Sequence, residues 1–313
     1  MKVWAIAAEA LQRVQAIEGG QPIPPPPVSA TKIIFVNKGG NDATGNGTID
    51  APFLTPTKAL ATTDNSGGWS IQVGPGSYSD NLSLKSGVSF TAIEPEGTFF
   101  TGLMTIGGGF GNFGTATFSN IQFSQSQTFN WGAIETPFLF FFNCEFDNNL
   151  TVLGGAGTGS TLSLITCDIL GTLSLTDVNV IYTQGNDIQS NVNVTATHFQ
   201  SFWSSNGDSV GTNGGVTPNV MTATGAFLLQ AILVGTQLLT PLTLDGANTS
   251  YRGTAGAIPP VVVLTGGAGA PLLLSGANGL QYTATTVANW SGANPTSIQN
   301  ALDRIAAHIT PIP

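Results

Sequence analysis

The sequence predicts an all-β protein built as a right-handed parallel β-helix, a solenoid in which successive coils of one chain stack along an axis. A short motif recurs at even spacing, at positions 120–123, 143–146 and 166–169. Short strand-like runs are separated by turns rich in Thr, Ser, Asn and glycine, of which there are 40. A fixed short period of this composition suits stacked coils, whose equivalent residues lie about 4.8 Å apart. Only 8% of the residues are charged, against roughly 25% in an ordinary soluble domain. Such a surface is typical of a β-solenoid or a fibre protein.

Residues 1–20 are predicted to form an amphipathic helix that attaches the protein to a partner. Apolar side chains recur there in steps of four and three residues, which places them on one helical stripe, and Gly19 and Gly20 end the pattern. Residues 21–32 are predicted to be a semi-rigid linker, because their five prolines favour extended polyproline II geometry. The stripe consists of Val3, Ala7, Ala10, Val14 and Ile17.

Residues 33–204 are predicted to form the β-helix, and the order of motifs over residues 33–93 opens it. The segment Ile34-Phe35-Val36 leads into a loop that reads G-x-D-x-x-G-x-G and ends at Pro52-Phe53. A short helix near residues 56–61 follows, and then I-x-V-x-P-G-x-Y at 71–78 and L-x-L-x-x-G-V at 82–88. This order resembles the entrance of pectin-lyase-like right-handed β-helices. The resemblance implies the fold but no activity, because lyases, hydrolases and structural viral proteins share that architecture.

The 23-residue period predicts which side chains stack inside the solenoid. Ile121, Cys144 and Cys167 occupy equivalent inward positions, and an aromatic or aliphatic residue follows two positions later in each coil. The next coil is shorter, since Asp187 follows Asp168 more closely than Asp168 follows Glu145. We expect the β-helix to end near residue 200. Residues 205–289 contain short apolar runs without strict alternation, which predicts a β-rich oligomerisation or tip region buried on both faces.

Residues 290–313 are predicted to form a capped C-terminal helix. Its apolar edge consists of Ile298, Leu302, Ile305 and Ile309. The segment reads W…P-T-S-I-x-x-A-L-D-R-I-A and resembles the endings of tail-fibre and surface proteins of large DNA viruses and phages. The resemblance implies a virion as the location of the protein.

Composition and charge disfavour several classes of function. The formal net charge is −9 and the eight basic residues are dispersed, which argues against a nucleic-acid partner. The longest apolar runs are too short to predict a membrane span. The two cysteines lack the partner spacing of a zinc site, and the chain has no Gly-rich phosphate loop followed by Lys. We therefore expect no cofactor and no bound metal.

Three acidic residues share one outward phase on successive coils and are the candidate catalytic groups. Glu145, Asp168 and Asp187 would form a ladder in which each carboxylate raises the pKa of its neighbours. A raised carboxylic acid beside an ionised one is what glycoside hydrolysis uses. The alternatives are a solvated polar ladder with a structural role and an oxygen-ligated cation such as calcium. Lyase chemistry is disfavoured, because no Lys or Arg lies between Lys85 and Arg252.

An oligomer interface is predicted from apolar residues that one narrow solenoid cannot hide. In the apolar run at 137–142, alternation turns Leu139 and Phe141 outward if Phe138, Phe140 and Phe142 face inward. Outward apolar side chains are typical of a subunit contact, and three parallel copies can bury such faces around one axis. The predicted interface comprises Leu139, Phe141, Val261, Val263, Leu272, Leu274, Ile298, Leu302 and Ile305.

These observations together predict a non-enzymatic structural virion protein, a spike, tail fibre or surface decoration. It would assemble as a homotrimer and mediate attachment to a host or to the capsid, with virion or capsid proteins bound through the N-terminal helix and a host surface glycan as a further partner. Two alternatives stay open. One is a tailspike that depolymerises glycans, and the other is a minor capsid or cement protein.

Overall fold

The structure is a computed structural model that describes residues 32–64, 67–94, 97–106, 114–132, 137–154, 159–197, 200–211, 219–223, 229–234, 236–245, 249–253 and 262–265. Within these ranges the chain forms one helix and 27 strands. In chain order they are β1 (Lys32–Val36), α1 (Pro56–Thr62), β2 (Trp69–Val73), β3 (Gly76–Tyr78), β4 (Leu82–Leu84), β5 (Val88–Ala92), β6 (Thr98–Phe100), β7 (Met104–Ile106), β8 (Thr115–Ser119), β9 (Gln122–Phe123), β10 (Gln127–Asn130), β11 (Phe138–Phe142), β12 (Glu145–Phe146), β13 (Leu150–Leu153), β14 (Thr161–Ile165), β15 (Asp168–Ile169), β16 (Leu173–Thr176), β17 (Val180–Gln184), β18 (Asp187–Ile188), β19 (Val192–Ala196), β20 (Ser201–Asn206), β21 (Ser209–Val210), β22 (Asn219–Ala223), β23 (Leu229–Val234), β24 (Gln237–Leu238), β25 (Leu242–Asp245), β26 (Thr249–Gly253) and β27 (Val262–Thr265).

These strands form the parallel β-helix that the sequence predicts. Sheet A has the order β1-β2-β5-β8-β11-β14-β17-β20-β23-β26, sheet B the order β3-β6-β9-β12-β15-β18-β21-β24, and sheet C the order β10-β13-β16-β19-β22-β25-β27. The pair β4-β7 precedes β10 on the side of sheet C. A typical coil supplies one strand to each sheet in turn, and all strand pairs named here are parallel.

Aromatic columns run along the interior because equivalent inward residues of successive coils lie one strand spacing apart. Phe90, Phe118 and Phe141 stack along sheet A, with ring centroids 5.5 and 5.2 Å apart. On sheet B, Phe123 stacks on Phe146 at 4.7 Å, and Phe123 meets Phe141 edge to face at 5.9 Å. All five rings are fully buried, so two sheets share one packed core.

The orientation predicted for β11 is wrong. Leu139 and Phe141 are 0% exposed and belong to the core, whereas Phe138, Phe140 and Phe142 lie on the outer face. These three outer rings stack on one another at 6.3 Å per step. Leu139 and Phe141 therefore stabilise the chain's own fold and are not interface residues.

The predicted 23-residue register is confirmed. Strand pairing aligns Glu145 with Asp168, and the Asp168 N–H donates to the Cys144 carbonyl at 2.9 Å, which puts Cys144 and Cys167 at equivalent positions of adjacent coils. Both cysteines are buried free thiols. Burial raises the pKa of the Cys167 thiol, and its contact with Cys144 acts in the same direction.

The turn from sheet A to sheet B is a left-handed corner that recurs in five coils. A residue with positive φ starts each turn, and these φ values lie between 50 and 69°. Asparagine and glycine adopt this conformation readily, whereas a β-branched threonine does so at a cost. The corner residues are Asn120, Asn143, Thr166, Gly185 and Gly207.

The Gly/Asn-rich loop and α1 close the first coil. The Phe35 N–H donates to Gly47 and the Phe53 N–H donates to Phe35, so the loop pairs with the outer edge of β1. Asp42 accepts from the Thr55 hydroxyl at 2.6 Å, and Thr55 is the N-cap of α1. Although partial burial acts to raise the pKa of Asp42, these hydrogen bonds lower it overall. The G-x-D motif thus joins the loop to the helix that follows.

The β-helix continues beyond its predicted end near residue 200. Sheet A extends through β20, β23 and β26, and sheet C through β22, β25 and β27. The boundary at residue 204 is therefore wrong, and described strands up to residue 265 belong to the same solenoid. The predicted N-terminal helix, the linker up to residue 31 and the C-terminal helix lie outside the described residues.

Candidate functional site

The acidic ladder lies on the outer face of sheet B. Pairing aligns Gln122 with Glu145, Glu145 with Asp168, and Asp168 with Asp187. The opposite, inward positions are the buried residues Phe146, Ile169 and Ile188, which hold each two-residue strand in place. Alternation along the strand then directs the acids outward, as the sequence predicts.

A fourth carboxylate, which the sequence analysis missed, belongs to this cluster. Asp147 follows β12, accepts from the Gln122 amide at 2.7 Å, and interacts with Glu145. Asp147 lies at the turn out of sheet B, whereas the ladder was predicted from one outward residue in each coil. The equivalent turn position in the preceding coil is Ser124, so the period alone contains no signal for this acid.

The electrostatics of the ladder raise the pKa values of Glu145 and Asp168. Partial burial raises the pKa of Glu145, and the charges of Asp147 and Asp168 raise it further. Burial and then the charge of Asp187 raise the pKa of Asp168. Adjacent strands are spaced at about 4.8 Å, close to the roughly 5–5.5 Å that separates the carboxyl groups of retaining glycosidases. Neighbouring carboxyls of the ladder therefore interact electrostatically, as the raised pKa values of Glu145 and Asp168 indicate.

Nothing in the described ranges assembles these acids into a metal centre, since no group of three or more His, Cys, Asp and Glu side chains there is arranged to hold an ion. The sequence also places no Lys or Arg between Lys85 and Arg252. The ladder thus has no cation from this part of the chain to fix an acidic substrate.

Neutralising one member of the ladder should stabilise the protein slightly at neutral pH. Glu145→Gln removes a carboxylate that partial burial and two neighbouring charges disfavour, and we expect a gain in unfolding free energy of at most about 1 kcal/mol because partly solvated charges interact weakly. The gain should disappear as the pH falls and wild-type Glu145 takes up its proton. Thermal unfolding at two pH values measures it. Asp50→Asn, at an exposed position away from the ladder, is the control, and a loss of stability in Glu145→Gln would contradict the electrostatic argument.

A second surface, which we call the uncharged face, is the outer side of sheet A. From β2 to β23 its outward positions carry no Asp, Glu, Lys or Arg. Half-buried apolar side chains lie beside small Ser and Thr residues on this face. The half-buried apolar residues are Phe138, Phe142, Ile165, Val180, Phe202, Ile232 and Val234.

These residues occupy the outer columns that pairing defines. Phe142 aligns with Ile165, and Val180 aligns with Phe202. The uncharged face therefore spans several adjacent coils rather than one strand. The sequence predicts the apolar character of β11, but the residues on the surface are the alternate ones to Leu139 and Phe141.

The other predicted interface residues are not brought together by the described structure. Val263 lies in β27 and pairs with Thr243 of β25 on sheet C, so its strand is on a different side of the solenoid from the uncharged face. Val261, Leu272, Leu274, Ile298, Leu302 and Ile305 lie outside the described residues.

Helical structure in the described ranges lacks the length and apolar character that a membrane crossing requires. Comparisons of the chain with protein-family models, with curated proteins and with solved structures found no match.

Proposed function

We propose that the chain is a non-enzymatic structural protein of a virion, the β-helical shaft of a spike, tail fibre or surface decoration, and that it works as a homotrimer. The observation that carries this proposal is the uncharged face of sheet A. The acids Glu145, Asp168 and Asp187 lie on sheet B, whereas the outward positions of sheet A from β2 to β23 carry no charged residue. Segregation of this kind suits a protein that packs one face and hydrates another.

The uncharged face has the size of a subunit interface. The strands of sheet A from β2 to β23 lie side by side, and at about 4.8 Å per strand and 3.3 Å per residue a five-residue-wide face covers roughly 600 Å² in projection. A standard interface buries about 800 Å² of accessible surface per partner. Since side chains make the accessible area larger than the projection, this face alone is close to sufficient.

Three parallel copies can close around this face. A solenoid with three sheets has a prism-like cross-section, and rotation about a threefold axis parallel to the coils brings three equivalent faces together in a closed assembly. The resemblance of residues 33–93 to pectin-lyase-like β-helices and of the C-terminal segment to phage and large-DNA-virus surface proteins supports a virion as the location. Attachment to a capsid partner through residues 1–20 and to a host glycan through the exposed sheets completes the proposal.

The mass of the assembly in solution tests the proposal. We expect the full chain, of 32.1 kDa, to sediment at three times its chain mass at micromolar concentration and to remain assembled on dilution, because the apolar faces dominate the contact. A stable monomer would contradict it. Labelling of intact particles with an antibody against the protein would then separate a projecting spike from a capsid-bound cement protein.

A glycan depolymerase is the second candidate, and the raised pKa values of Glu145 and Asp168 favour it. Purified protein should then release oligosaccharides from a host surface polysaccharide, and Glu145→Gln or Asp168→Asn should abolish release without loss of assembly. If the polysaccharide stays intact after prolonged incubation, the depolymerase is refuted and the structural function remains.

A further inference from the structure

A carboxyl group is buried in the interior at the corner between sheets A and B. Asp208 follows the left-handed corner residue Gly207 and is 1% exposed. The equivalent positions of successive coils change from apolar or thiol side chains to polar ones along the solenoid. In order they are Ile121, Cys144, Cys167, Asn186, Asp208 and Thr236.

Asp208 joins two coils through its two oxygens. Oδ1 accepts from the backbone N–H of Asn186 at 2.8 Å and from the Asn186 side-chain amide at 2.8 Å. Oδ2 accepts from the Ser205 hydroxyl at 2.5 Å, and the Thr183 hydroxyl also donates to the carboxyl group. The backbone N–H of Asn186, at the corner of the preceding coil, thus has the Asp208 carboxyl as its hydrogen-bond acceptor in place of a backbone carbonyl.

Among the described residues, the groups that hydrogen-bond to Asp208 are neutral. From β17 and β20 they are the hydroxyls of Thr183 and Ser205, and Thr183 in turn accepts from the Trp203 indole N–H at 2.9 Å. The adjoining corners contribute Asn186 and Thr236. The adjoining corners of the described structure hold two titratable residues, Cys167, whose N–H donates to Asn186, and Asp187, which faces outward on sheet B. Neither supplies a positive charge.

An ionised carboxylate in this place is costly, because burial without a counter-ion disfavours the charged form. Burial raises the pKa of Asp208, and the hydrogen bonds from Ser205, Thr183 and Asn186 offset only part of that effect. The folded protein therefore binds a proton at Asp208 more tightly than the unfolded chain does.

The hydroxyl partners can serve the protonated form as well. Ser205 and Thr236 have their hydroxyl oxygens 2.5 Å apart, and either can be the donor. When Asp208 carries a proton, its O–H donates to Ser205, Ser205 donates to Thr236, and Thr236 turns toward the Val234 carbonyl at 3.5 Å. Proton uptake thus reverses the donor and acceptor in each hydrogen bond from Asp208 through Ser205 to Thr236. Asp208 keeps its hydrogen bonds from Asn186.

We propose that Asp208, with its hydroxyl relay of Ser205 and Thr236, is a proton-binding site that makes the distal coils of the β-helix more stable as the surroundings become acidic. The sign follows from linkage: a carboxyl whose folded pKa exceeds its unfolded value adds stability that is complete below the unfolded pKa and is lost as the pH rises through the folded pKa. This regulation is independent of the oligomeric state and of any glycan cleavage.

Thermal unfolding of the full chain between about pH 5 and about pH 7.5 tests the site. The melting temperature of the wild type should rise by several degrees on acidification. Asp208→Asn keeps the shape of the protonated carboxyl, so its melting temperature at neutral pH should already approach the acid value of the wild type, with little further rise. The double variant Glu145→Gln, Asp168→Asn removes the outer acids whose pKa values are also raised, and it should keep most of the rise.

The opposite pattern would overturn the proposal: a wild type whose melting temperature does not change with pH, or a rise that survives in Asp208→Asn and disappears in the double variant. If Asp208→Asn does not fold, an NMR titration of the wild-type Asp208 carboxyl carbon decides. A folded pKa above that of an unfolded aspartate supports the proton site, and a folded pKa at or below the unfolded value would refute it.

Discussion

Phe141→Ala should lower the free energy of unfolding by about 3–5 kcal/mol, the range for removal of a fully buried phenylalanine ring. Phe141 is 0% exposed and lies where the aromatic columns of sheets A and B meet. Its ring contacts Phe118, Phe123 and Phe146 at centroid distances of 5.2, 5.9 and 5.1 Å. Truncation would leave a cavity between the rings of adjacent coils, and the stacked backbone cannot close it without breaking register.

Urea-induced unfolding followed by circular dichroism measures this loss, and Phe99→Ala is the matched control. Phe99 is outward on sheet B and partly exposed, so its removal should cost about 1 kcal/mol or less. Equal losses in the two variants would mean that β11 has the opposite orientation, with Phe141 on the surface.

The orientation of β11 shows what the sequence could and could not predict. Its own residues, F-L-F-F-F, contain no alternation, so either face could be the core. The 23-residue period resolves the ambiguity, since it aligns Phe140 with Ser163 and Phe141 with Leu164. A serine tolerates the outer face and a leucine requires the core, and this signal lies in the neighbouring coil rather than in the strand itself.

The extent of the solenoid was harder to predict for a different reason. Stacked coils constrain inward residues and corners, but the loops between sheets can lengthen without disturbing the pairing. Val180 of β17 pairs with Phe202 of β20, and Phe202 pairs with Gln230 of β23, so the step between equivalent residues grows from one coil to the next. The period thus becomes irregular while the register continues. The left-handed corners at Gly185 and Gly207 were the surviving signal.

The alignment of Glu145, Asp168 and Asp187 was predicted because it depends only on register and alternation, whereas Asp147, at the turn after β12, was missed. The buried carboxyl of Asp208 was not predicted either, since a lone acid at a corner looks like an ordinary turn residue until the hydrogen bonds of Asn186 and Ser205 are known. The sequence thus revealed the position of surface charge, and the structure was needed to find the interior carboxyl group.

Phe142→Asp should convert the proposed trimer into folded monomers. Phe142 is half-buried on the uncharged face and aligns with Ile165 and Ser119. A trimer would bring three introduced carboxylates into a contact that has no counter-charge, and burying each one costs several kcal/mol in a dry interface. In the monomer the same carboxylate can reach water, so the fold should survive.

Thr128→Asp is the control, because it adds the same charge at an exposed outward position of sheet C. We expect sedimentation to give the chain mass for Phe142→Asp and three times that mass for both the control and the wild type, with the same circular dichroism spectrum for all three. A trimeric Phe142→Asp would place the subunit contact away from sheet A. Loss of β-structure in that variant would instead show that Phe142 supports the fold of the single chain, and the uncharged face would then no longer be evidence for assembly.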